Sequence, residues 1–198
     1  QQAIDRDPNY ALAYAGLGEA YNRLCGYNAM PSSECFPKSR VAAEKALELD
    51  TGLADAHATL ASVKHFYDWD FPGAEKNFRR AIEIDPNFAL AYSALGSSYV
   101  NRVLKGLGLA GDHDKAKNAF KKALALDPKL LEARRHMVFI YLTGGQKQKA
   151  REEIDLLRRE YPNDSGVQFV RGVVARLDGE YEIALRSFDR MANLNPEE

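Results

Sequence analysis

Cysteine is nearly absent, with Cys25 and Cys35 the two in 198 residues. That excludes a small scaffold held together by disulfides. Neither lies in a Cys-x-x-Cys pair, so zinc and redox motifs of that spacing are excluded too. The two can meet within one insertion. Free thiols are expected in a reducing compartment, and a disulfide only if this region is exported. An excess of one charge is also missing. Against 27 Lys and Arg stand 28 Asp and Glu, a net charge of −1, which gives no global reason to bind nucleic acid. The most basic stretch, 105–135, interleaves Lys115, Lys117, Lys121 and Lys122 with Asp112, Asp114, Asp127 and Glu132, the pattern of a solvated helix face. No apolar run approaches the roughly 20 residues that span a bilayer, so no membrane contact by this segment is expected. No basic-then-apolar leader opens the chain. Gln1-Gln2-Ala3-Ile4-Asp5 reads instead as the tail of a helix already under way, and the chain is expected to be a piece of a longer protein. The cytoplasm is the expected compartment, the periplasm the alternative if the longer protein has a transmembrane segment.

Catalytic signatures are lacking as well. There is no P-loop, dinucleotide fingerprint or nucleophile elbow, and Gly106-Leu107-Gly108 reads as a flexible link. His57 and His65 lie eight apart, too far for an HExxH-type pair, and His57 reads as a packed core histidine. Asp112-His113-Asp114 directly precedes a helical pattern, so capping by Asp112 or Asp114 accounts for it. No enzyme activity, metal or cofactor is expected.

Self-similarity is what the sequence has in abundance. Ala74, Phe78, Ala81 and Pro86 are spaced four, three and five apart, and Ala116, Phe120, Ala123 and Pro128 repeat those spacings. So do Ala150, Ile154, Leu157 and Pro162, and again Ala184, Phe188, Met191 and Pro196. Ser39, Ala43, Ala46 and Thr51 form a weaker copy with Thr in place of Pro. Upstream of each lies a second pattern. Tyr14, Leu17, Gly18 and Tyr21 match Tyr92, Leu95, Gly96 and Tyr99 fully. His57, Leu60, Ala61 and Lys64 match in part, as do Arg134, Met137, Val138 and Tyr141; Gln168, Arg171, Gly172 and Ala175 are the weakest copy. Spacings of three, four and seven place these residues on one face of a helix, so each unit is two amphipathic helices. The small residues let two backbones approach while Tyr and Phe fill the flanking space. The prolines end the second helix, and no window alternates as a strand.

This pattern resembles the tetratricopeptide repeat, a motif of 34 residues. The resemblance covers nearly the whole chain: residues 1–10 end a preceding repeat, and 11–53, 54–88, 89–130, 131–164 and 165–198 are repeats, with insertions near 25–38 and 103–114. It implies an all-α fold, a right-handed superhelical solenoid of antiparallel helix pairs forming a single domain, and a protein–protein interaction scaffold. Tyr10-Ala11-Leu12-Ala13-Tyr14-Ala15-Gly16-Leu17 and Phe66-Tyr67-Asp68-Trp69-Asp70-Phe71 further resemble the carboxy-terminal repeat regions of bacterial signalling proteins, which follow kinase, winged-helix or cyclase domains.

In that family the first helix of each unit lines a concave groove. The matching positions imply a partner-binding set of Glu19, Asn22, Arg23, His65, Phe66, Ser97, Asn101, Arg135, Phe139 and Arg176, with Arg102 beside it. Asn22 and Asn101 would hold a peptide backbone, and the arginines would meet acidic groups. The Lys/Asn clamp of chaperone-binding members is absent, since Ala15 and Glu19, Ala58 and Ser62, and Ser93 and Ser97 stand there. The second surface is the insertion edge, where Tyr27, Phe36, Tyr67, Trp69, Phe71 and Leu104 either cover one another as core or form an apolar ridge. A sealed cluster favours a scaffold, and an open pocket a small-ligand-sensing regulatory domain. Phe188, Met191 and Leu194 on the last helix are expected to permit end-to-end self-association.

Overall fold

The computed structural model describes residues 2–26 and 29–194. Tyr27 and Pro196 lie outside the described residues. The fold is all-α, an array of antiparallel helix pairs with no strand among the described residues. It comprises α1 (Gln2–Arg6), α2 (Ala11–Gly26), α3 (Ser32–Leu49), α4 (Ala54–Val63), α5 (Phe71–Ile84), α6 (Ala89–Leu104), α7 (Asp112–Leu126), α8 (Leu131–Thr143), α9 (Lys147–Glu160), α10 (Ser165–Leu177) and α11 (Tyr181–Leu194). Two compact units result, 1–126 with α1–α7 and 127–198 with α8–α11.

The punctuation between pairs is chemical. The Asp7 carboxylate accepts the Asn9 N–H at 2.9 Å, Asp50 that of Gly52 at 2.8 Å, Asp85 that of Asn87 at 2.9 Å and Asp127 that of Lys129 at 2.9 Å. Each aspartate thus closes a turn on its own backbone two residues on. This is why Thr51 can stand where the other copies have proline: Asp50 supplies the turn. Asp70 and Asp164 cap α5 and α10 by accepting the Gly73 and Val167 N–H groups at 2.9 and 2.8 Å.

Within the pairs the small residues meet backbone or rings. A methyl group at Gly96 would stand 2.7 Å from the Phe120 ring, and one at Gly172 would stand 2.4 Å from Phe188. At Gly18 it would lie 3.2 Å from the Ala43 N and Ser39 O atoms, and the Ser39 hydroxyl donates to the Gly18 carbonyl at 2.8 Å. In the second unit Val138, Ala150, Ile154, Leu157, Val167 and Val170 form the core.

The insertions lengthen helices. α2 and α6 have 16 residues where α8 and α10 have 13, about one extra turn, and 105–111 then forms a loop. Between α4 and α5 the chain makes a π-helical turn, Lys64–Asp68, which ends at Trp69 with φ 58°. A bulky residue in the left-handed region is strained. The Arg40–Asp68 ion pair, with contacts of 2.5 and 2.6 Å, braces the turn against α3. Cys25 and Cys35 are joined by a disulfide, which replaces the free thiols expected for a reducing compartment. It packs with Phe36, Val63 and Met30, tying the lengthened end of α2 to the start of α3.

Candidate functional site

A cleft of about 110 Å³ opens between α2, α4 and α6 in the first unit. Buried Phe78 and Ala91 form its floor, with Ala58 and Ala94 beside them. Glu19, Asn22, Asp55 and Ser62 bring polar groups to it, and Leu90, half exposed, stands at its edge. Burial first, and then the negative charges of Glu19 and Asp85, hold the Asp55 carboxyl above its ordinary range. No ion pair reaches Asp55 among the described residues, so the mouth of the cleft is acidic.

The groove residues expected from the sequence divide. Glu19 and Asn22 line the cleft. Arg23 is exposed, but its guanidinium donates to Glu19 at 2.6 and 3.0 Å. Phe66 is half exposed.

Four other members of the set serve the fold instead. His65 is buried, its Nδ1 3.2 Å from the Ser98 hydroxyl and its Nε2 2.8 Å from the Asn101 amide nitrogen. An amide can only donate there, so Nε2 accepts and Nδ1 carries the hydrogen. Burial lowers the His65 pKa to about 4 and keeps the ring neutral at pH 7. One N–H of the Asn101 amide is therefore committed to His65, which leaves its second N–H and its carbonyl oxygen. Ser97 is buried.

Arg102 is buried as well, because the residue after the groove position turns inward. Its Nε and Nη2 donate to Asp112 at 2.8 and 2.6 Å, and its Nη1 donates to Glu75 at 3.1 Å. The Tyr99 hydroxyl donates to Glu75 at 2.9 Å, and the Leu109 N–H donates to Asp112 at 2.7 Å. Asp112 is thus not the simple helix cap read from the sequence. It is a fully buried acid that holds the 105–111 loop and α6 together. Burial opposes its charge, but Arg102 and the Leu109 N–H outweigh that and hold its carboxyl below the ordinary range.

In the second unit Arg135 donates to Asp164, the α10 cap, at 3.0 Å. Phe139 stacks toward Phe169 at 6.4 Å, and Arg176 is exposed. Three of the four arginines expected to meet an acidic partner are thus already paired with acids of this chain.

The insertion edge takes both expected forms. Phe36 and Phe71 are buried, whereas Tyr67, Trp69 and Leu104 are exposed. The Lys105 ammonium sits 4.2 Å from the Trp69 ring centroid. Asn22, Phe66, Phe36 and the disulfide border a further cleft of about 360 Å³. Among the described residues no group of three or more His, Cys, Asp or Glu could hold a metal, and no helix is long and apolar enough to cross a membrane.

Asp55 and Leu90 line the cleft as well; both sit at groove-facing repeat positions of the second and third units and were legible there. The Glu75–Arg102–Asp112 network was not, because its members lie 10 and 27 residues apart in segments whose contact depends on the insertion.

Residues 109–177 match the tetratricopeptide repeat family. Anaphase-promoting complex subunit 3 of Schizosaccharomyces pombe is 23% identical over 98% of this chain. The chain spans about a quarter of that relative, 26% of its length. Among solved structures, the APC/C hetero-tetramer Cut9-Hcn1 aligns with a TM-score of 0.79 at 16% identity, over 100% of this chain and 36% of that one. YrrB, described as a TPR protein with an unusual peptide-binding site, aligns with a TM-score of 0.59 at 20% identity, over 99% of this chain and 92% of that one.

Proposed function

We propose that this tetratricopeptide array docks a segment of another protein by non-covalent contact, with the α2–α4–α6 cleft as the seat of one side chain. The observation that supports it most is the cleft itself, a pocket with an apolar floor that takes polar groups from α2 and α4 and apolar ones from α6. The chemistry favours a basic or neutral segment over the acidic one expected from the arginines, since Asp55 stands at the opening without an ion pair among the described residues, whereas Arg23 is already shared with Glu19. The peptide-binding description of YrrB and the assembly in which Cut9-Hcn1 was solved agree with docking as the mode of action. In the longer protein the module would serve a regulatory or signalling role, bringing a partner to an effector domain. A second reading, small-ligand sensing, draws on the cleft beside the disulfide, where Phe36 and Phe66 offer apolar surface and Asn22 a polar handle.

The test replaces Asn22 and Leu90 together by Arg, which fills the cleft without touching the core. A partner retained by the wild-type chain is expected to be lost at least tenfold from the folded double variant. Equal retention would overturn the assignment of the cleft.

A further inference from the structure

The α2–α4–α6 cleft is one-sided in charge. Glu19 and Asp55 line it, and no Lys, Arg or His does. Other acids of the chain are met by an arginine: Asp112 and Glu75 by Arg102, Asp164 by Arg135 and Asp178 by Arg151. Asp55 has no such partner among the described residues. Arg23 does not supply one, because its bonds to Glu19, at 2.6 and 3.0 Å, hold it on α2. Both bonds fall on Oε1, so Glu19 keeps Oε2 as a further acceptor. Burial, and then the negative charges of Glu19 and Asp85, hold the Asp55 carboxyl above its ordinary range. A cation seated beside it would offset that repulsion and favour the charged form.

The same cleft has an apolar half. Ala58 lies one helical turn beyond Asp55 on α4, and Ala91 and Ala94 come from α6 beside the buried Phe78 ring. Alanine walls leave room for a slim, unbranched side chain. An apolar lining next to an unmatched carboxylate suits a side chain that is aliphatic along its length and cationic at its tip. The cleft holds about 110 Å³, which favours a compact ammonium over the broader, planar guanidinium. Its acceptors also come from two helices, Asp55 from α4 and Glu19 and Asn22 from α2. An ammonium can divide its N–H groups among them.

On the docking reading above, we propose that the docked segment is anchored by a lysine, its stem against the alanine walls and its ammonium against Asp55. Docking is then controlled by the chemistry of the partner. Acylation of that lysine removes its charge and its ion-pair donors, so a modified segment leaves the cleft and an unmodified one stays.

Chemical-shift mapping on the isotope-labelled whole chain, at fixed ionic strength, tests the anchor. The probes are blocked pentapeptides of alanine with a central lysine, Nε-acetyllysine, norleucine or arginine. The lysine peptide is expected to shift the Asp55, Ala58 and Ala94 amides saturably by about 10 mM. The acetyllysine and norleucine peptides are expected to bind about tenfold more weakly, or worse. Asp55→Asn, which is nearly isosteric, is expected to keep the fold, weaken the lysine peptide by a similar factor and leave the two uncharged peptides unchanged. Equal binding of an uncharged peptide, tighter binding of the arginine peptide, undiminished binding by the Asp55→Asn chain, or no saturable shift at the cleft amides overturns the lysine anchor. Docking itself is read separately, from the partner retained by the wild-type chain. A partner released by the Asn22→Arg/Leu90→Arg variant yet held equally by Asp55→Asn keeps the cleft and removes the lysine. A partner held equally by all three chains removes both.

Discussion

Replacing Arg102 by Met is expected to destabilise the first unit by about 3–5 kcal/mol, the cost of leaving a buried acid without its counter-charge. The Arg102 side chain is 7% exposed and that of Asp112 is 0% exposed. The Met substitution removes both bonds to Asp112 and the one to Glu75 while keeping most of the side-chain volume. Asp112 must then protonate or draw water into the loop 105–111. The corresponding fall in Tm is roughly 10 °C or more, readable by circular dichroism. Arg102→Met combined with Asp112→Leu should recover much of the loss, because removing both charges removes the desolvation cost as well. A single-variant loss below about 1 kcal/mol would mean that water reaches Asp112 and the network is not sealed. The folded Asp112 carboxyl titrates below its unfolded value, so its stabilisation is present above the ordinary aspartate range and is lost as pH falls through the lowered folded value. Any binding defect of an Arg102 variant would report folding before it reported docking.

Stability should also fall as pH drops from about 6.5 to about 4, the interval between the ordinary histidine value and that of folded His65. The sign follows from proton uptake. In this window the unfolded chain binds a proton at His65 that the folded chain does not, so acidification favours unfolding. A depression from 6.5 to about 4 corresponds to a loss of about 3 kcal/mol at the acid end. Burial also lowers His136, although Glu132 opposes it, so the second unit contributes with the same sign. Asp55, with a raised folded value, contributes weakly in the opposite direction as the carboxylate range is entered. Denaturant melts at pH 7 and pH 4.5 of wild type and His65→Gln separate these effects. The wild type should lose most of the His65 contribution by pH 4.5, and the variant should show a markedly smaller difference. An identical pH dependence in both chains would show that His65 protonates within the fold without penalty.

The helix pairs were legible because they follow from local spacing. Phe78 and Ala81, or Phe120 and Ala123, declare a buried face wherever the chain places it, and the Asp before Pro8, Thr51, Pro86 and Pro128 declares the turn. The groove was legible only as a set of positions. Sequence spacing gives the direction of a residue on an ideal helix, and the insertions disturb that ideal. The π-helical turn at Lys64–Asp68 and the extra turn of α6 bring His65 onto Asn101. The same lengthening carries Arg102 to Asp112, so residues that the repeat register would face outward become internal partners. Whether Cys25 and Cys35 pair depends on how α2 and α3 are lengthened, which spacing alone does not fix.

Site-specific photo-crosslinking in cells reports whether partners dock in the α2–α4–α6 cleft. A photoreactive phenylalanine analogue would replace Asn22 or Leu90 in the cleft and, as a control, the exposed Lys76 on α5. The cleft positions are expected to crosslink to one discrete segment of another protein, and Lys76 is not. Crosslinks to that protein from Lys76, with none from Asn22 or Leu90, would contradict docking in the cleft.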